Sequence, residues 1–546
     1  MARSSDMTGR ERIRAAMGIQ PVDRVPWVPF VGCHGGALTG KKAGDYLRSA
    51  DAMAAGAAEA VRRYRPDGLP VAFDLQIEAE ALGCSLVWSD ENPPAVSSHP
   101  LASGSVLSDL HIPEADEARI PVVLETCRIM RKAHPDIALY GLITGPFTLA
   151  MHLGGTDLFM KMLEDEKSVQ DLLEFTTAVA LRMSDYYMHA GCDVIAVVDP
   201  LTSQIGPDAF QKFVRNPAST LFSHIRSAGG AGSFFVCGHA QQNIAEMCAC
   251  RPDNVSIDEN IPLDYVRDIC LENRISFGGN LQLTVVLLLG SPDDARRNAV
   301  ECLETGGTSG FILAPGCDLP YATPPSNIEA VAALVRDPYQ LEIAKALKTG
   351  PKTRNLLDMS DYGQAGKVIV DIITLDSEAC APCQYMVESV RQVAPEFEGI
   401  VEWREHKIKH ADSVQFMTSL MVKNIPTICI DGRIAFVSQI PPREELVAAI
   451  RRRIYEKLQF KIRTRKGEIL ILGQNDAECD RAMPVVAQAL RELGLDMPVT
   501  RITDPKQVLS YGVAVTPAVV MVQYKVKAEG NIPAVAIIKE WIKEIQ

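Results

Sequence analysis

Three side chains that are typical zinc ligands follow two short apolar runs of the chain. Cys237 and His239 come just after Ser233-Phe-Phe-Val, and Cys317 comes just after Phe311-Ile-Leu-Ala-Pro-Gly. Each run predicts a buried strand, so each cysteine lies where a strand passes into a loop. Two thiols and one imidazole would bind a Zn²⁺ ion and leave one coordination position open. Because a metal-bound thiol is deprotonated at neutral pH, such a site would activate an incoming thiol.

A second group of cysteines has the spacing of a redox pair. Cys380-Ala-Pro-Cys383 follows the predicted strand Lys367 to Leu375 and opens a helical stretch. A thiol at a helix N-terminus has a lowered pKa and is a good nucleophile, which predicts that Cys380 is the exposed attacking thiol. A structural metal knuckle would need a second cysteine pair nearby, and Cys429 alone does not supply one. The motif therefore predicts thiol–disulfide exchange.

Length, composition and charge restrict the class of protein. The chain has 546 residues, 47% of them hydrophobic, and a net charge of -13. These values predict a soluble protein of several domains with no electrostatic reason to bind nucleic acid or an anionic membrane. Neither a membrane span nor a signal peptide is expected, because no long apolar run occurs and the N-terminus has no apolar core. The 14 cysteines are scattered, which favours the reducing cytoplasm.

The first 345 residues alternate short apolar runs with longer amphipathic stretches. Eight such runs predict a TIM (β/α)8 barrel with insertions, and an open doubly wound sheet is the alternative. In a barrel, the loops that follow the strands line one face, where catalytic side chains are found. The eight runs are residues 24–30, 69–73, 137–143, 193–198, 233–236, 254–257, 275–277 and 310–314. The polar or reactive residues that follow them are Asp74, Thr144, Asp199, Cys237, His239, Asp258, Asn280, Cys317 and Asp318.

The remainder of the chain predicts a linker and two similar domains. Residues 346–365 are rich in glycine, proline and charge, so we expect them to let the two halves of the chain separate. Residues 366–455 form the first predicted domain, which contains the Cys380 motif. Residues 456–546 repeat its order of strand, cysteine, helix and proline, but Ala482 stands where a resolving cysteine would follow Cys479. This order predicts an internal duplication whose second copy cannot form the disulfide.

Several strand-end motifs resemble those of the uroporphyrinogen decarboxylase superfamily over residues 8–336. The resemblance implies a TIM barrel and two classes of activity: decarboxylation of a porphyrinogen, or methyl transfer from a methylcobalamin-carrying corrinoid protein. The motifs are Asp74-Leu-Gln-Ile-Glu78-Ala-Glu-Ala-Leu-Gly83, Thr144-Gly-Pro-Phe-Thr-Leu-Ala150, Ser256-Ile-Asp258-Glu, Gly278-Gly-Asn280-Leu and Ile312-Leu-Ala-Pro-Gly-Cys317-Asp-Leu-Pro.

The residues favour the methyltransferase branch. The early region Val28-Pro-Phe-Val-Gly-Cys33-His34-Gly-Gly lacks the arginine with which decarboxylases bind propionate groups. Cys317 resembles the distal zinc cysteine of the thiol-methylating members. One departure is that Phe235 occupies the usual place of a histidine ligand, and we expect His239 to replace it, because side chains at spacing two share one side of an extended segment.

The resemblance to the methyltransferases also implies roles for partners and for other residues. It implies a corrinoid protein as methyl donor and a small thiol, or tetrahydrofolate, as acceptor. Asp74 is a catalytic candidate. The substrate-binding candidates are Glu78, Asp199, Asp258 and Asn280.

The Cys380 motif resembles the active site of thioredoxins. Pro426 in Ile425-Pro-Thr and Pro517 in Thr516-Pro match the cis-proline of that family. The resemblance implies two thioredoxin-like domains, with Cys380 and Cys383 as the redox pair of the first. Two roles are open for it: keeping Cys237 and Cys317 reduced, or regenerating an oxidised cobalt centre through a partner.

Together these features predict a cytoplasmic methyltransferase with an attached redox module. One alternative is a uroporphyrinogen decarboxylase-type lyase of porphyrin metabolism. A second is a thiol–disulfide oxidoreductase whose barrel is not catalytic.

Overall fold

The computed structural model describes residues 7–345, 362, 367–378, 380–422, 424–464, 468–493, 497–511, 513 and 515–522. The chain divides into two compact units, Met1–Leu446 and Val447–Gln546. The barrel and the first thioredoxin-like domain therefore belong to one unit. The predicted linker lies outside the described residues except for Tyr362.

Seven parallel strands form the barrel sheet, and each is hydrogen-bonded to the next in chain order. Their positions agree with the apolar runs of the sequence, which confirms the predicted fold. The strands are Gly68–Pro70, Ala138–Thr144, Val194–Val198, Ala231–Val236, Asn254–Ile257, Ser276–Leu281 and Phe311–Pro315.

The eighth position of the barrel is occupied by the segment around Trp27. Trp27 pairs in parallel with Leu313 of the last strand, and its carbonyl accepts a hydrogen bond of 2.8 Å from the Asp67 amide, beside the first strand. The segment makes only this short ladder because Pro26 and Pro29 flank Trp27 and have no amide hydrogen to donate. The predicted strand over residues 24–30 is thus reduced to a single bridge that joins the two edges of the sheet.

Helices surround the barrel sheet and bury its outer face. A typical one, Pro292–Gly306, begins at a capping box made by Ser291 and Asp294, which satisfies amide groups that the first turn leaves free. A two-stranded hairpin, Leu86–Val87 with Ala95–Val96, is inserted after the first strand. The helices of this part are Gly9–Met17, His34–Leu38, Ala43–Tyr46, Ala50–Tyr64, Ile77–Ala81, Ile120–Ala133, Pro146–Gly154, Asp157–Glu164, Glu166–Ala190, Pro207–Phe213, Arg215–Ser227, Ile244–Ala249, Leu263–Glu272, Pro292–Gly306, Pro325–Arg336 and Pro338–Lys345.

Apolar side chains fill the interior of the barrel. The ring of Phe235 lies 5.4 Å from that of Phe30 and 5.9 Å from that of Phe73, both in edge-to-face geometry. This arrangement is favoured by the charge distribution of aromatic rings. The three rings lie directly beneath the end of the strand that leads to Cys237, so the floor of any site at this face is apolar.

Two smaller sheets follow and share one plan. In each, a central strand pairs in parallel with one neighbour and antiparallel with the other. The shared plan agrees with the predicted duplication. The first sheet has the order Val401–Lys407, Val368–Thr374, Thr427–Ile430, Arg433–Val437, and the second has the order Val499–Ile502, Glu468–Leu472, Ala518–Val522. The helices are Ala381–Val393, Ala411–Ser419, Arg443–Thr464, Asp476–Leu493 and Pro505–Ser510.

The helix Ala381–Val393 packs the first thioredoxin-like domain against the barrel. Tyr385 on this helix is fully buried, and its hydroxyl donates a hydrogen bond of 3.2 Å to the Met151 carbonyl. Gln384 donates to the carbonyl of Val96 at 2.5 Å. A buried tyrosine whose hydroxyl is hydrogen-bonded combines apolar burial with a directional contact. The contact therefore places the N-terminus of the helix, and with it the Cys380 motif, at the barrel.

Two further contacts support this packing. The Asn92 amide donates to Asp376 at 3.0 Å and to Glu378 at 3.1 Å. The Ile440 amide donates to Gln204 at 2.9 Å.

Among the described residues, no helix combines the length and the apolar character needed to cross a membrane.

Candidate functional site

Cys237 and Cys317 meet at the carboxyl-terminal face of the barrel. Cys237 follows the strand Ala231–Val236, and Cys317 follows Phe311–Pro315 after one residue. Their sulfur atoms lie 3.0 Å apart, with the Cys237 thiol donating to Cys317. The hydrogen bond to Cys317, burial, and the nearby carboxylates of Asp258 and Glu259 raise the pKa of Cys237 well above its usual value. Cys237 therefore favours the thiol form.

His239 does not complete a metal site with the two cysteines. Gly238 between Cys237 and His239 has a φ of 88°, so the segment is not extended and spacing two no longer implies a shared side. In the described part of the chain, no group of three or more His, Cys, Asp or Glu side chains is placed to hold a metal ion. Because zinc sites in proteins have three or four protein ligands, the residues as arranged do not fit the predicted zinc centre.

Two neighbouring carboxylates lie beside the cysteine pair. Asp258 accepts a hydrogen bond of 2.6 Å from the Gly238 amide, and burial raises the pKa of Asp258 to about 6. Burial, together with the charge of Asp258, raises the pKa of Glu259 to about 8. The Oε2 atom of Glu259 is buried without a hydrogen-bond partner. Asp258 thus holds Gly238 in place, and Glu259 keeps one buried carboxyl oxygen without a hydrogen-bond partner.

Asp199 and Asn280 form hydrogen bonds within the protein. Asp199 accepts from the amide of Thr148 at 2.8 Å and from its hydroxyl at 2.6 Å, at the start of the helix Pro146–Gly154. Because the first amides of a helix lack internal partners, a carboxylate there stabilises the helix end. The Asn280 amide donates to the carbonyls of Asp258 and Ile261 at 3.2 and 2.9 Å. Both side chains hold loops of this face in position.

Asp74 lies in a buried ion pair with Arg119, at a distance of 2.5 Å. Arg119 also pairs with Glu80 at 2.5 Å, and its Nη2 atom is buried without a partner. The sequence pattern did not indicate Arg119, because it precedes the helix Ile120–Ala133 and does not follow a strand. The predicted catalytic aspartate is thus held by a cation.

Glu78 is fully buried next to the strand Ala138–Thr144. Its carboxylate accepts hydrogen bonds from the Thr144 amide at 3.1 Å and from the Thr144 hydroxyl at 2.8 Å. Burial outweighs these bonds and raises the pKa of Glu78 to about 7. Glu78 therefore carries a proton through much of the acidic range while its neighbours at the surface are ionised.

Replacing Glu78 with glutamine is expected to weaken the pH dependence of stability. A carboxyl group whose pKa is higher in the folded state contributes stability below its unfolded pKa and loses it as pH rises through the folded value. Between pH 5 and 8 the wild type should therefore lose about 2–3 kcal/mol relative to Glu78→Gln. Urea denaturation of the barrel at both pH values measures this. Glu125→Gln, which changes an exposed carboxyl group, is the control and should lose as much stability between pH 5 and 8 as the wild type. The expectation would be contradicted if the stability of Glu78→Gln fell by the same amount as that of the wild type.

The cysteine pair and the Cys380 motif line the same cavity. Its volume is about 100 Å³, and Cys237, Cys317 and Cys380 are among the side chains that line it, with Ala381 and Pro382. Of the other predicted site residues, Asp74, Glu78, Asp199, Asp258, Asn280 and His239 are not among the described residues that line it. The structure thus brings four cysteines of two domains to one cavity, Cys33, Cys237, Cys317 and Cys380, while most of the predicted polar residues do not line it.

The redox motif has the arrangement expected of a thioredoxin-like domain. Cys380 and Cys383 form a disulfide at the start of the helix Ala381–Val393; Cys380 is partly exposed and Cys383 fully buried. The peptide bond before Pro426 is cis. In the second domain the bond before Pro517 is also cis, and Cys479 is a buried free thiol.

Comparison with known proteins places both parts of the chain. Residues 8–338 match the family model described as uroporphyrinogen decarboxylase (URO-D), and residues 467–543 match a thioredoxin domain model. A methylcobamide:CoM methyltransferase, MtaA of Methanosarcina barkeri, is 29% identical over 61% of this chain and 99% of its own length.

Two further comparisons concern a structure and a decarboxylase. The solved structure of a methyltransferase from Methanosarcina mazei has a TM-score of 0.57 and 26% identity, covering 61% of this chain and 99% of its own. A uroporphyrinogen decarboxylase of Thermus thermophilus is 28% identical over 41% of this chain and 67% of its own length. These findings confirm the predicted superfamily and its fusion to a thioredoxin domain.

Proposed function

The chain belongs to the uroporphyrinogen decarboxylase family, and from that premise we propose that its barrel moves a methyl group from a corrinoid protein to a thiol. The observation that carries the proposal is the extent of the likeness to MtaA, which includes 99% of that protein. Its name gives a methylcobamide as donor and CoM as acceptor. The match to the decarboxylase is shorter, at 67% of that protein.

The position of the cysteine pair supports a thiol acceptor. Cys237 and Cys317 end on the cavity at the face where barrel enzymes carry out their chemistry. In the proposed reaction the acceptor thiol releases its proton to solvent, and its sulfur attacks the methyl carbon of the donor. The carbon–cobalt bond breaks as the sulfur–carbon bond forms, and its electron pair stays with the corrinoid. We assign no step to zinc, because the third ligand is not in place.

The charge of the cavity disfavours the decarboxylase alternative. Among the described residues that line it, Lys409 is the one cation, and it pairs with Asp376 at 2.7 Å. Glu91 and Asp318 line the cavity as well. A porphyrinogen with many carboxylates needs cationic partners that this lining does not offer.

A direct assay of methyl transfer tests the proposal. Reduced full-length protein is incubated with methylcobalamin and CoM, and the loss of methylcobalamin absorbance is followed together with the formation of methylated thiol. We expect demethylation that requires both protein and thiol. Cys317→Ser should lose this activity, whereas Cys127→Ser, which removes a buried thiol of a distant helix, should retain it.

Two other results would overturn the proposal in different ways. Decarboxylation of uroporphyrinogen III without demethylation would identify a lyase. Reduction of a protein disulfide such as insulin, with no turnover by the barrel under any acceptor including tetrahydrofolate, would identify an oxidoreductase with a non-catalytic barrel.

A further inference from the structure

We propose that the Cys380–Cys383 pair exchanges disulfides with the Cys237–Cys317 pair, so that the first thioredoxin-like domain is a built-in reductant of the barrel. The two pairs belong to different domains and face one cavity. This activity goes beyond the proposed methyl transfer and holds whatever the methyl acceptor is.

The distance between the barrel cysteines makes them a redox couple. Their sulfur atoms are in contact at 3.0 Å, both side chains are only partly exposed, and each is a free thiol. No described third ligand joins them to hold a metal. Two adjacent thiols that are not tied to a metal are converted to a disulfide by the loss of two electrons and two protons. Cys237 and Cys317 therefore need a reductant if both are to remain free thiols.

The packing of the thioredoxin-like domain supplies that reductant at the required place. Tyr385 lies one turn after Cys380 on the same helix and is buried against the barrel at Met151. Ala381 and Pro382, which lie between the two cysteines of the motif, line the cavity instead of facing outward. The surface next to the attacking thiol, where a disulfide substrate must lie, is thus covered by the barrel.

The lining of the cavity indicates that the partner of Cys380 is in the same chain. Three other cysteines line this space with Cys380: Cys33, Cys237 and Cys317. Cys33 is buried, whereas Cys237 and Cys317 are partly exposed and in contact with each other, so they are the pair that Cys380 can reduce. The geometry therefore selects an internal substrate.

The exchange starts when a small dithiol from outside the chain reduces the Cys380–Cys383 disulfide and itself becomes a disulfide. The barrel disulfide forms when an oxidant of the peroxide class removes two electrons from Cys237 and Cys317. The Cys380 thiolate then attacks one of these sulfurs, the Cys237–Cys317 bond breaks, and the released sulfur takes up a proton. Cys383 next attacks Cys380, the mixed disulfide breaks, and the second barrel sulfur takes up a proton. The products are the Cys380–Cys383 disulfide and two barrel thiols, the state that the structure has.

Differential alkylation of the full-length protein tests the direction of exchange. Fully reduced protein receives one equivalent of hydrogen peroxide, and disulfides are mapped by mass spectrometry. In the wild type the disulfide should be found at Cys380–Cys383. The Cys380→Ser, Cys383→Ser double variant should retain at least about tenfold more Cys237–Cys317 disulfide, corresponding to a potential difference of about 30 mV or more. Cys429→Ser, which lacks a buried thiol of the same domain, is the matched control and should resemble the wild type.

A trapping variant tests contact between the pairs separately. Cys383→Ser lacks the resolving thiol, so the same treatment should yield a peptide in which Cys380 is joined to Cys237 or Cys317. In a mixture of ¹⁵N-labelled and unlabelled protein, the joined peptides should carry matching labels. Three results would each overturn the proposal. The first is an equal amount of Cys237–Cys317 disulfide in the wild type and the double variant. The others are a disulfide between Cys380 and any other cysteine, and joined peptides that carry different labels.

Discussion

Replacing Phe235 with histidine is expected to raise the zinc affinity of the full-length protein by at least about 100-fold, since even outer ligand partners change metal affinity by about 10–100-fold. Phe235 lies two residues before Cys237 at the end of the strand Ala231–Val236. In a strand this spacing places side chains on the same side. An imidazole at residue 235 would therefore join the two sulfurs, whereas His239 lies beyond the turn at Gly238.

Competition with a chromophoric zinc chelator measures this gain, and two variants control it. Phe235→Leu keeps an apolar side chain beside Phe30 and Phe73 and should bind zinc as the wild type does. Phe235→His combined with Cys317→Ser should lose the gain, because one sulfur is missing. If the wild type is found to retain one zinc per chain that Cys317→Ser releases, the two cysteines bind zinc without a histidine at residue 235. In that case the conclusion that they lack a third ligand is wrong.

Replacing Arg119 with methionine should destabilise the barrel by about 3–5 kcal/mol, the cost of breaking a buried ion pair. Arg119 is 6% exposed and its partner Asp74 is 2% exposed. Methionine has a similar volume but leaves the Asp74 carboxylate buried without a cation.

A matched variant lies on the helix that Arg119 precedes. Arg128 pairs with Glu125 at 3.1 Å, and its side chain is 58% exposed. Since exposed ion pairs contribute at most about 1 kcal/mol, Arg128→Met should leave the stability of the barrel nearly unchanged. Both variants are compared by urea denaturation at pH 7. Equal midpoints for Arg119→Met and Arg128→Met would show that the Asp74 pair does not stabilise the barrel.

These expectations depend on contacts that sequence patterns do not contain. Asp199 illustrates this point. A polar residue just after a strand has the position of a catalytic group, but Asp199 instead caps the helix Pro146–Gly154, earlier in the chain, through Thr148. The same residue type serves both purposes, because a carboxylate accepts hydrogen bonds from a substrate and from helix amides alike. The spacing of residues cannot separate the two uses.

His239 illustrates a second limit of sequence reasoning. As a ligand beside Cys237, His239 would need an extended segment before it, and Gly238 takes a conformation with a φ of 88° instead. Glycine adopts this region at little cost, so the sequence permits the turn without requiring it. The hydrogen bond from the Gly238 amide to Asp258, 20 residues later, accompanies that choice.

The sequence alone determined the order of the domains, seven of the eight predicted barrel strands, the face on which the loops after those strands lie, and the plan that the two thioredoxin-like domains share. Those features follow from apolar periodicity and local motifs, which act over a few neighbouring residues. Only the tertiary structure decided that Cys237 and Cys317 are in contact, that Asp74 is held by Arg119, and that the Cys380 motif faces the barrel. Each of these depends on packing between segments far apart in the chain, where shape and burial, and not local spacing, select the partners.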